Sequence, residues 1–193
     1  DNHYPRLQPF FILPAGVPVP DAPKASHNMS QPWDDFRAIA TTAYLRADWT
    51  FAQDWSLTAQ AMHSRNDRPR VKEARFGSIN DSAGNAFLFG SEDESTGEQN
   101  SGQLLVHGKL HTGFVEHQLT IGLSASNFEQ RTASSPLGVF ATNIYDPVGS
   151  PEPPDAHAPL GLSQKYTTLG VLISDVLKFN EQWSALAGLR YNR

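Results

Sequence analysis

From Ile39 to Phe51 an apolar side chain stands at nearly every second residue: Ile39, Ala43, Leu45, Ala47, Trp49 and Phe51, interrupted only by Thr41. The positions between are Thr42, Tyr44, Arg46, Asp48 and Thr50. Side chains alternate across a strand, so a period of two puts one class of residue on each face, which a helix cannot do. A polar turn follows at Ala52-Gln53-Asp54. Trp55, Leu57, Ala59 and Ala61 then alternate with Ser56, Thr58 and Gln60. The pattern is a hairpin with one apolar and one polar face.

The pattern recurs twice. Gly102, Leu104, Val106, Gly108 and Leu110 alternate with Gln103, Leu105, His107, Lys109 and His111, and a turn at Thr112-Gly113-Phe114-Val115 follows. Beyond it His117, Leu119, Ile121, Leu123 and Ala125 alternate with Gln118, Thr120, Gly122, Ser124 and Ser126. The third pair sets Leu169, Val171 and Ile173 against Tyr166, Thr168, Gly170 and Ser174, with Leu172 breaking the polar face. It turns within Lys178–Gln182 and returns through Trp183, Ala185, Ala187, Leu189 and Tyr191. Each strand carries ~12–14 residues of alternation, against a mode of ~5–6 in globular proteins.

The connections alternate in length. Tight turns are expected near Gln53, Gly113 and Asn180, and long connections over Arg65–Gly102 and Gln130–Gln164. Short turns on one rim and long loops on the other are the habit of outer-membrane barrels. Large aromatics gather beside the tight turns: Trp49, Phe51 and Trp55, then Phe114, then Phe179 and Trp183. An aromatic belt at the membrane interface predicts that placement, whereas a soluble core sets its large aromatics mid-strand. The twelve residues expected to face lipid are Leu45, Ala47, Leu57, Ala59, Leu104, Val106, Leu119, Ile121, Leu169, Val171, Ala185 and Ala187. A soluble β-sandwich binding module, with carbohydrate as a candidate ligand, and a ligand-free structural or adhesin barrel segment stand as the alternatives.

Composition agrees. No run approaches the ~20 apolar residues of a membrane helix, but barrel strands never produce one. A formal charge of −5 without an evident basic patch leaves nucleic acid out as a partner. Cysteine is absent, which removes disulfides, thiol nucleophiles and Cys-type zinc sites. Prolines crowd residues 1–36 and again Ser134–Ser163, where proline removes ladder donors and predicts loop. The organisation expected is therefore a proline-rich loop over 1–36 and strand hairpins over 37–193. Six strands cannot close such a barrel, whose smallest members have about eight. A ~22-strand transporter at this turn spacing would need on the order of 600–700 residues. The expectation is a partial antiparallel transmembrane β-barrel meander, all-β, of at least six strands.

The wording of the chain points the same way. Gln31-Pro32-Trp33, Leu45-Arg46-Ala47-Asp48-Trp49, Asn143-Ile144-Tyr145-Asp146-Pro147-Val148 and Gln182-Trp183-Ser184-Ala185-Leu186-Ala187-Gly188-Leu189-Arg190-Tyr191 together resemble the middle barrel region of TonB-dependent siderophore receptors of the ferrichrome and other hydroxamate type. The resemblance covers roughly Leu13 to Arg193. It implies a 22-stranded barrel in the bacterial outer membrane, filled by an N-terminal plug. Such a barrel imports a ferric siderophore with energy passed through TonB. No plug-like or TonB-box-like segment is recognisable in this sequence, so the partners it implies are a ferric siderophore, outer-membrane lipid, and TonB through an N-terminal part not seen here.

The candidate ligand residues are Trp33, Arg65, Phe87, Phe89 and Tyr145, on or near the long-loop side. Aromatics there suit either a siderophore pocket or loop packing, and Asp146-Pro147 makes a turn role for Tyr145 equally apt. Arg65, Arg68 and Arg70 suit an anionic chelate or lipopolysaccharide phosphates, or a solvated loop. Glu92-Asp93-Glu94 reads as solvated loop rather than a calcium site. His107 and His111 are four apart, ~13 Å along a strand, too far to share a metal ion. Arg46 and Asp48 suit a wall salt bridge. No catalytic motif, resident cofactor or metal site emerges.

Overall fold

The computed structural model describes residues 10–193 and the backbone of residues 2 and 3. Asp1 and residues 4–9, which include Pro5 and Pro9 of the expected proline-rich loop, lie outside the described residues. The regular elements are all strands: β1 (Asn2–His3), β2 (Phe10–Ile12), β3 (Arg37–Ala52), β4 (Trp55–Ile79), β5 (Asn85–Thr112), β6 (Val115–Asn143), β7 (Gly161–Lys178) and β8 (Ser184–Asn192). The order in the sheet is β1-β3-β4-β5-β6-β7-β8, with β2 lying parallel beside β4. From β3 onward this is the expected meander, each strand pairing with the next.

The tight turns fall where the alternation breaks. β3 and β4 are joined by Gln53-Asp54, and β5 and β6 by Gly113-Phe114. Gly113 has φ +62°, a left-handed conformation that glycine adopts without a Cβ clash. At the third turn the Asn180 side-chain oxygen accepts from the amides of Gln182 and Trp183 at 2.9 and 2.8 Å.

The opposite connections differ from expectation. β4 runs on to Ile79 and β5 begins at Asn85, so the supposed long connection Arg65–Gly102 is mostly paired strand. Likewise β6 reaches Asn143 and β7 starts at Gly161, so Gln130–Gln164 holds a loop of residues 144–160 only. Alternation fails there because both faces of the strand become covered: Val71, Lys72, Glu73 and Ala74 are four successive buried residues. Proline is tolerated inside these strands. Pro69 in β4 precedes Arg70, whose φ of +46° is the kind of left-handed break that bends a strand, and Pro136 lies in β6. The proline-rich first segment also carries β2, where Phe10, Phe11 and Ile12 pair with Phe76, Gly77 and Ser78.

The chain divides into two compact units. Unit 1 comprises Asp1–Ala40, Asn66–Thr96 and Arg131–Ser163, and unit 2 comprises Thr41–Arg65, Gly97–Gln130 and Gln164–Arg193. Among the described residues the buried hydrophobics are Trp33, Val71, Ala74, Ala86, Leu88 and Ile144, and all belong to unit 1. There Trp33, Ala74 and Leu88 form a cluster with Phe11, Leu137 and Phe140 around them. The Trp33 and Phe140 rings stand 5.2 Å apart at 59°, a favourable tilted geometry. Gln31 beneath them is nearly inaccessible, and its side-chain oxygen accepts from the amide and hydroxyl of Ser150, each at 2.8 Å.

Candidate functional site

Unit 2 has no buried hydrophobic residue, yet its strands are rich in exposed ones: Leu45, Leu104, Ile121, Leu123, Leu169, Val171, Ile173 and Leu189. Such a sheet has no core to hold it in water. Its stability requires an apolar medium against that face, and a closed barrel in lipid supplies one while satisfying every backbone group. Of the twelve residues expected to face lipid, all are exposed or half-exposed and none is buried.

Polar pairs bound this apolar face at both ends. Beyond Ala61, the His63 ring lies 2.8 Å from the Asn100 side-chain oxygen. The Asn127 amide donates to Thr167 at 3.1 Å, and Lys165 meets Glu129 at 3.0 Å. Toward the tight turns, His117 Nδ1 lies 2.6 Å from Asp175 Oδ2. Ten residues separate Asn100 from Leu110 on β5, and ten separate His117 from Asn127 on β6. Ten residues extend ~33 Å along a strand, and a tilt of ~40° reduces that to the ~25 Å height of an outer-membrane apolar band.

The belt candidates all lie in unit 2. Trp49, Phe51, Phe114, Phe179 and Trp183 are exposed, and the Trp49 and Phe51 ring centroids are 5.6 Å apart. Trp55 is half-buried because it lies over Gly108: a Cβ there would stand 2.4 Å from the indole. The opposite parity carries polar contacts. Arg46 grips Asp48 with two hydrogen bonds of 2.8 and 2.9 Å, and Thr58 donates to Asp48 at 2.7 Å. His107 lies 3.1 Å from the Thr120 hydroxyl, whereas His111 is near Glu116 at 3.9 Å. The two histidines therefore have separate partners.

In unit 1, alternation along β5 sets up an aromatic face. Ala86, Leu88 and Gly90 are buried on the packed side, with Leu88 at 0% exposure, while Phe87 and Phe89 point away from it at 43% and 48%. On β4, Gly77 sits under the Phe11 ring and against the Phe87 carbonyl, a closeness that a Cβ would forbid. Its neighbour Phe76 is 51% exposed, and Phe10, paired with Phe76, is 67% exposed. Ile12 and Val139 are also exposed. Phe10 and Phe76 escaped the sequence reading because Phe10 stands in a proline-rich stretch and Phe76 in a charged one.

A second cluster fastens the segment around residues 152–157. Arg70 contacts Glu92 at 3.3 Å and also Asp155, and Lys72 reaches Glu152 at 2.8 Å and Asp155 at 2.5 Å. Glu92 is buried, so it is not the solvated loop residue expected from sequence. It accepts from the Ala156 amide at 3.0 Å and lies 3.2 Å from His157. Burial alone would push the Glu92 carboxyl up. The Ala156 amide, Arg70 and His157 outweigh it and hold the group below the ordinary carboxylate value. Burial pushes Glu73 up, although Arg75 opposes it at 3.1 Å.

The five candidate ligand residues separate by environment. Trp33 is core, and its indole donates to Ser150 at 3.2 Å. Tyr145 stitches loops: its hydroxyl donates to the Asp21 carbonyl at 2.9 Å, and its amide donates to the Asn143 side chain at 2.8 Å. Arg65 belongs to unit 2, shares the parity of Leu57, Ala59 and Ala61, and is held by Glu98 at 2.9 Å. Arg68 lies over the Phe36 ring, 4.8 Å from its centroid. Phe87 and Phe89 alone of the five combine aromatic character with an open face in unit 1.

The family model described as TonB dependent receptor-like, beta-barrel, matches residues 2–193. The ferrichrome receptor FcuA of Yersinia enterocolitica is 24% identical over 178 residues, covering 89% of this chain and 23% of that protein. The metal-pseudopaline receptor CntO of Pseudomonas aeruginosa is 33% identical over 96 residues, 47% of this chain and 13% of that protein. Among solved structures, the ferric preacinetobactin receptor BauA of Acinetobacter baumannii superposes with a TM-score of 0.85 at 22% identity, over 96% of this chain and 29% of that one. The chain thus spans less than a third of the length of each of these three proteins.

Proposed function

Because this chain belongs to the TonB-dependent receptor β-barrel family of the bacterial outer membrane, we propose that the receptor carrying it imports a ferric siderophore and that the chain supplies part of the transmembrane wall and part of the ligand-facing surface. The observation that carries this reading is the contrast between the two units. Unit 2 is a coreless amphipathic sheet suited to lipid, and unit 1 offers an open aromatic face on a packed support. A bulky chelate suits aromatic walls of this kind.

Phe87 and Phe89 are the ligand contacts in this reading, joined by Phe76. Trp33 and Tyr145 hold the support in place, and Arg65 marks the outer edge of the apolar face. Trp49, Phe51, Trp55, Phe114, Phe179 and Trp183 form the interfacial belt. TonB acts through another part of the receptor, the ferric siderophore is cargo rather than cofactor, and no catalytic step is assigned. The relatives named as ferrichrome and metal-pseudopaline receptors support the cargo class. The test is iron uptake by a strain whose only siderophore receptor is the full-length protein carrying this segment. Siderophore-dependent uptake that falls in the Phe87→Ala/Phe89→Ala variant, with barrel assembly intact, supports the reading. Uptake from no siderophore overturns it.

A further inference from the structure

Within unit 2, the ends of β5 to β8 that carry the tight turns enclose a cleft of about 610 Å³. Two turns of different build wall it. The turn between β5 and β6 is two residues long and projects Phe114, which is 81% exposed. The turn between β7 and β8 is wider and braced from within: the Phe179 amide donates to the Trp183 carbonyl at 3.0 Å, and the Asn180 side chain accepts from the Gln182 and Trp183 amides. Phe179 and Trp183 are held on this braced turn, and both are exposed.

Charged groups line the same cleft. Glu116 on β6 and Lys178 on β7 stand on neighbouring strands, and His111 on β5 flanks Glu116 on its other side. The Gln118 side chain donates to Glu116 at 2.8 Å and orients the carboxylate. Lys178 Nζ lies 3.5 Å from Glu116 Oε1, and His111 Nε2 lies 3.9 Å from Oε2. Both distances exceed the ~2.7–2.9 Å of a closed charge-assisted hydrogen bond. Glu116 and Lys178 are also partly exposed, so each keeps capacity for a further partner. Glu181 adds an exposed carboxylate from the wider turn.

The rings and the charges belong to opposite faces. Trp183 shares the parity of Ala185 and Ala187 on the lipid side, whereas Glu116 shares that of Gln118 and Thr120, and Lys178 that of Ser174. The cleft therefore joins the apolar band to the polar face around the strand ends. A molecule that fills both sides is amphiphilic: its apolar part continues the band, and its charged part turns under the rim. Aromatic rings suit this level, where one side is apolar and the other wet. Opposite charges on adjacent strands stand about one inter-strand spacing apart, ~4.8 Å. That spacing fits a head group whose anion and cation are separated by a two-carbon link.

We propose that this cleft seats the head group of a zwitterionic phospholipid of the phosphoethanolamine type, drawn from the leaflet that meets the tight turns. The ammonium donates to Glu116 or Glu181, the phosphate accepts from Lys178, and the acyl chains run past Trp183 onto the apolar band. An anionic head group that lacks the ammonium leaves the two carboxylates facing its phosphate, a like-charge juxtaposition that disfavours it. A soluble sugar or peptide covers the charges but leaves the continuity with the lipid-facing band unused.

The experiment uses the purified full-length receptor carrying this segment, in detergent micelles doped with equal amounts of phosphatidylethanolamine and phosphatidylglycerol, and counts the lipids retained by native mass spectrometry. The expected result is retention of phosphatidylethanolamine over phosphatidylglycerol by roughly 5-fold, the size of one partly exposed ion pair. Glu116→Gln/Lys178→Gln removes both charges while keeping the side-chain shapes, and should abolish the preference. Should that variant fail to assemble, Phe114→Ser, at the most exposed ring of the cleft, should lower retention of phosphatidylethanolamine. Equal retention of the two lipids by the parent receptor, a preference for phosphatidylglycerol, or no retention of either overturns the proposal. So does a preference that survives unchanged in the variants. None of these outcomes bears on siderophore import, which is read by uptake.

Discussion

His117 on β6 and Asp175 on β7 are joined by a 2.6 Å contact on the face that also carries Leu119, Ile121, Val171 and Ile173. Asp175 Oδ1 is buried without a hydrogen-bond partner, so the carboxylate depends on the imidazole. Asp175→Asn keeps the shape and weakens that bond, and a hydrogen bond to a charged group contributes about 1.5–3 kcal/mol. The barrel of the full-length receptor should therefore unfold at lower temperature when followed by heat-dependent gel mobility. An unshifted transition would show that the pair contributes nothing to strand pairing.

Trp33 separates support from ligand contact. Trp33→Ala removes the centre of the unit 1 cluster and should cost about 3–5 kcal/mol of local stability. Protease cleavage within residues 144–160 should accelerate, since Ser150 is tethered to both Trp33 and Gln31. Phe87→Ala should leave cleavage unchanged, because Phe87 faces away from that cluster. Equal protection in the two variants would contradict the division of roles.

The Glu92 cluster gives a pH dependence of known sign. The folded-state carboxyl lies below its ordinary value of 4.5. Its contribution is thus fully present above that value and is lost as pH falls through the folded-state value. Hydrogen exchange at the Ala156 amide should be slow at neutral pH and should lose its protection in acid. Glu92→Gln should lose it at neutral pH as well. Protection that is unchanged in Glu92→Gln would remove the clasp.

The hairpins were legible because lipid on one side and water on the other impose alternation, as in Leu57-Thr58-Ala59-Gln60. The turns were legible from Gln53-Asp54 and Gly113. Legibility ended where that asymmetry ends. Val71 through Ala74 are buried on both faces, so no period marks them, and the upper halves of β4 to β6 read as loop. Phe87 and Phe89 drew notice by type, but only the burial of Leu88 between them shows which way they point. The Glu92 cluster joins residues more than sixty positions apart, a distance that adjacent acidic letters do not disclose. His117–Asp175 did leave a trace, a polar residue at an apolar-parity position in each of two neighbouring strands.

Val106 stands close to the middle of the ten-residue apolar band between Asn100 and Leu110. Val106→Arg should cost about 2–4 kcal/mol for folding of the receptor into lipid vesicles, the value for Arg near the bilayer midplane. Arg65 already places that charge on the same face at no such cost, and Arg65→Ala should change folding far less, since that position lies beyond the polar row at His63 and Asn100. Equal costs at the two positions would place the bilayer elsewhere on the sheet.

The claim on which the rest depends is that the even-numbered side chains of β5 meet lipid over that band. Spin labels placed one at a time from Asn100 to Leu110 in the full-length receptor, reconstituted in bilayers, read this directly through collisions with oxygen and with a water-soluble nickel complex. The expected result is a period of two, with oxygen access high at 102, 104, 106 and 110, nickel access rising at 100, and the odd positions shielded from oxygen; position 108, covered by the Trp55 indole, is left unlabelled. Uniform access along the strand, or alternation with the odd positions in lipid, would contradict it.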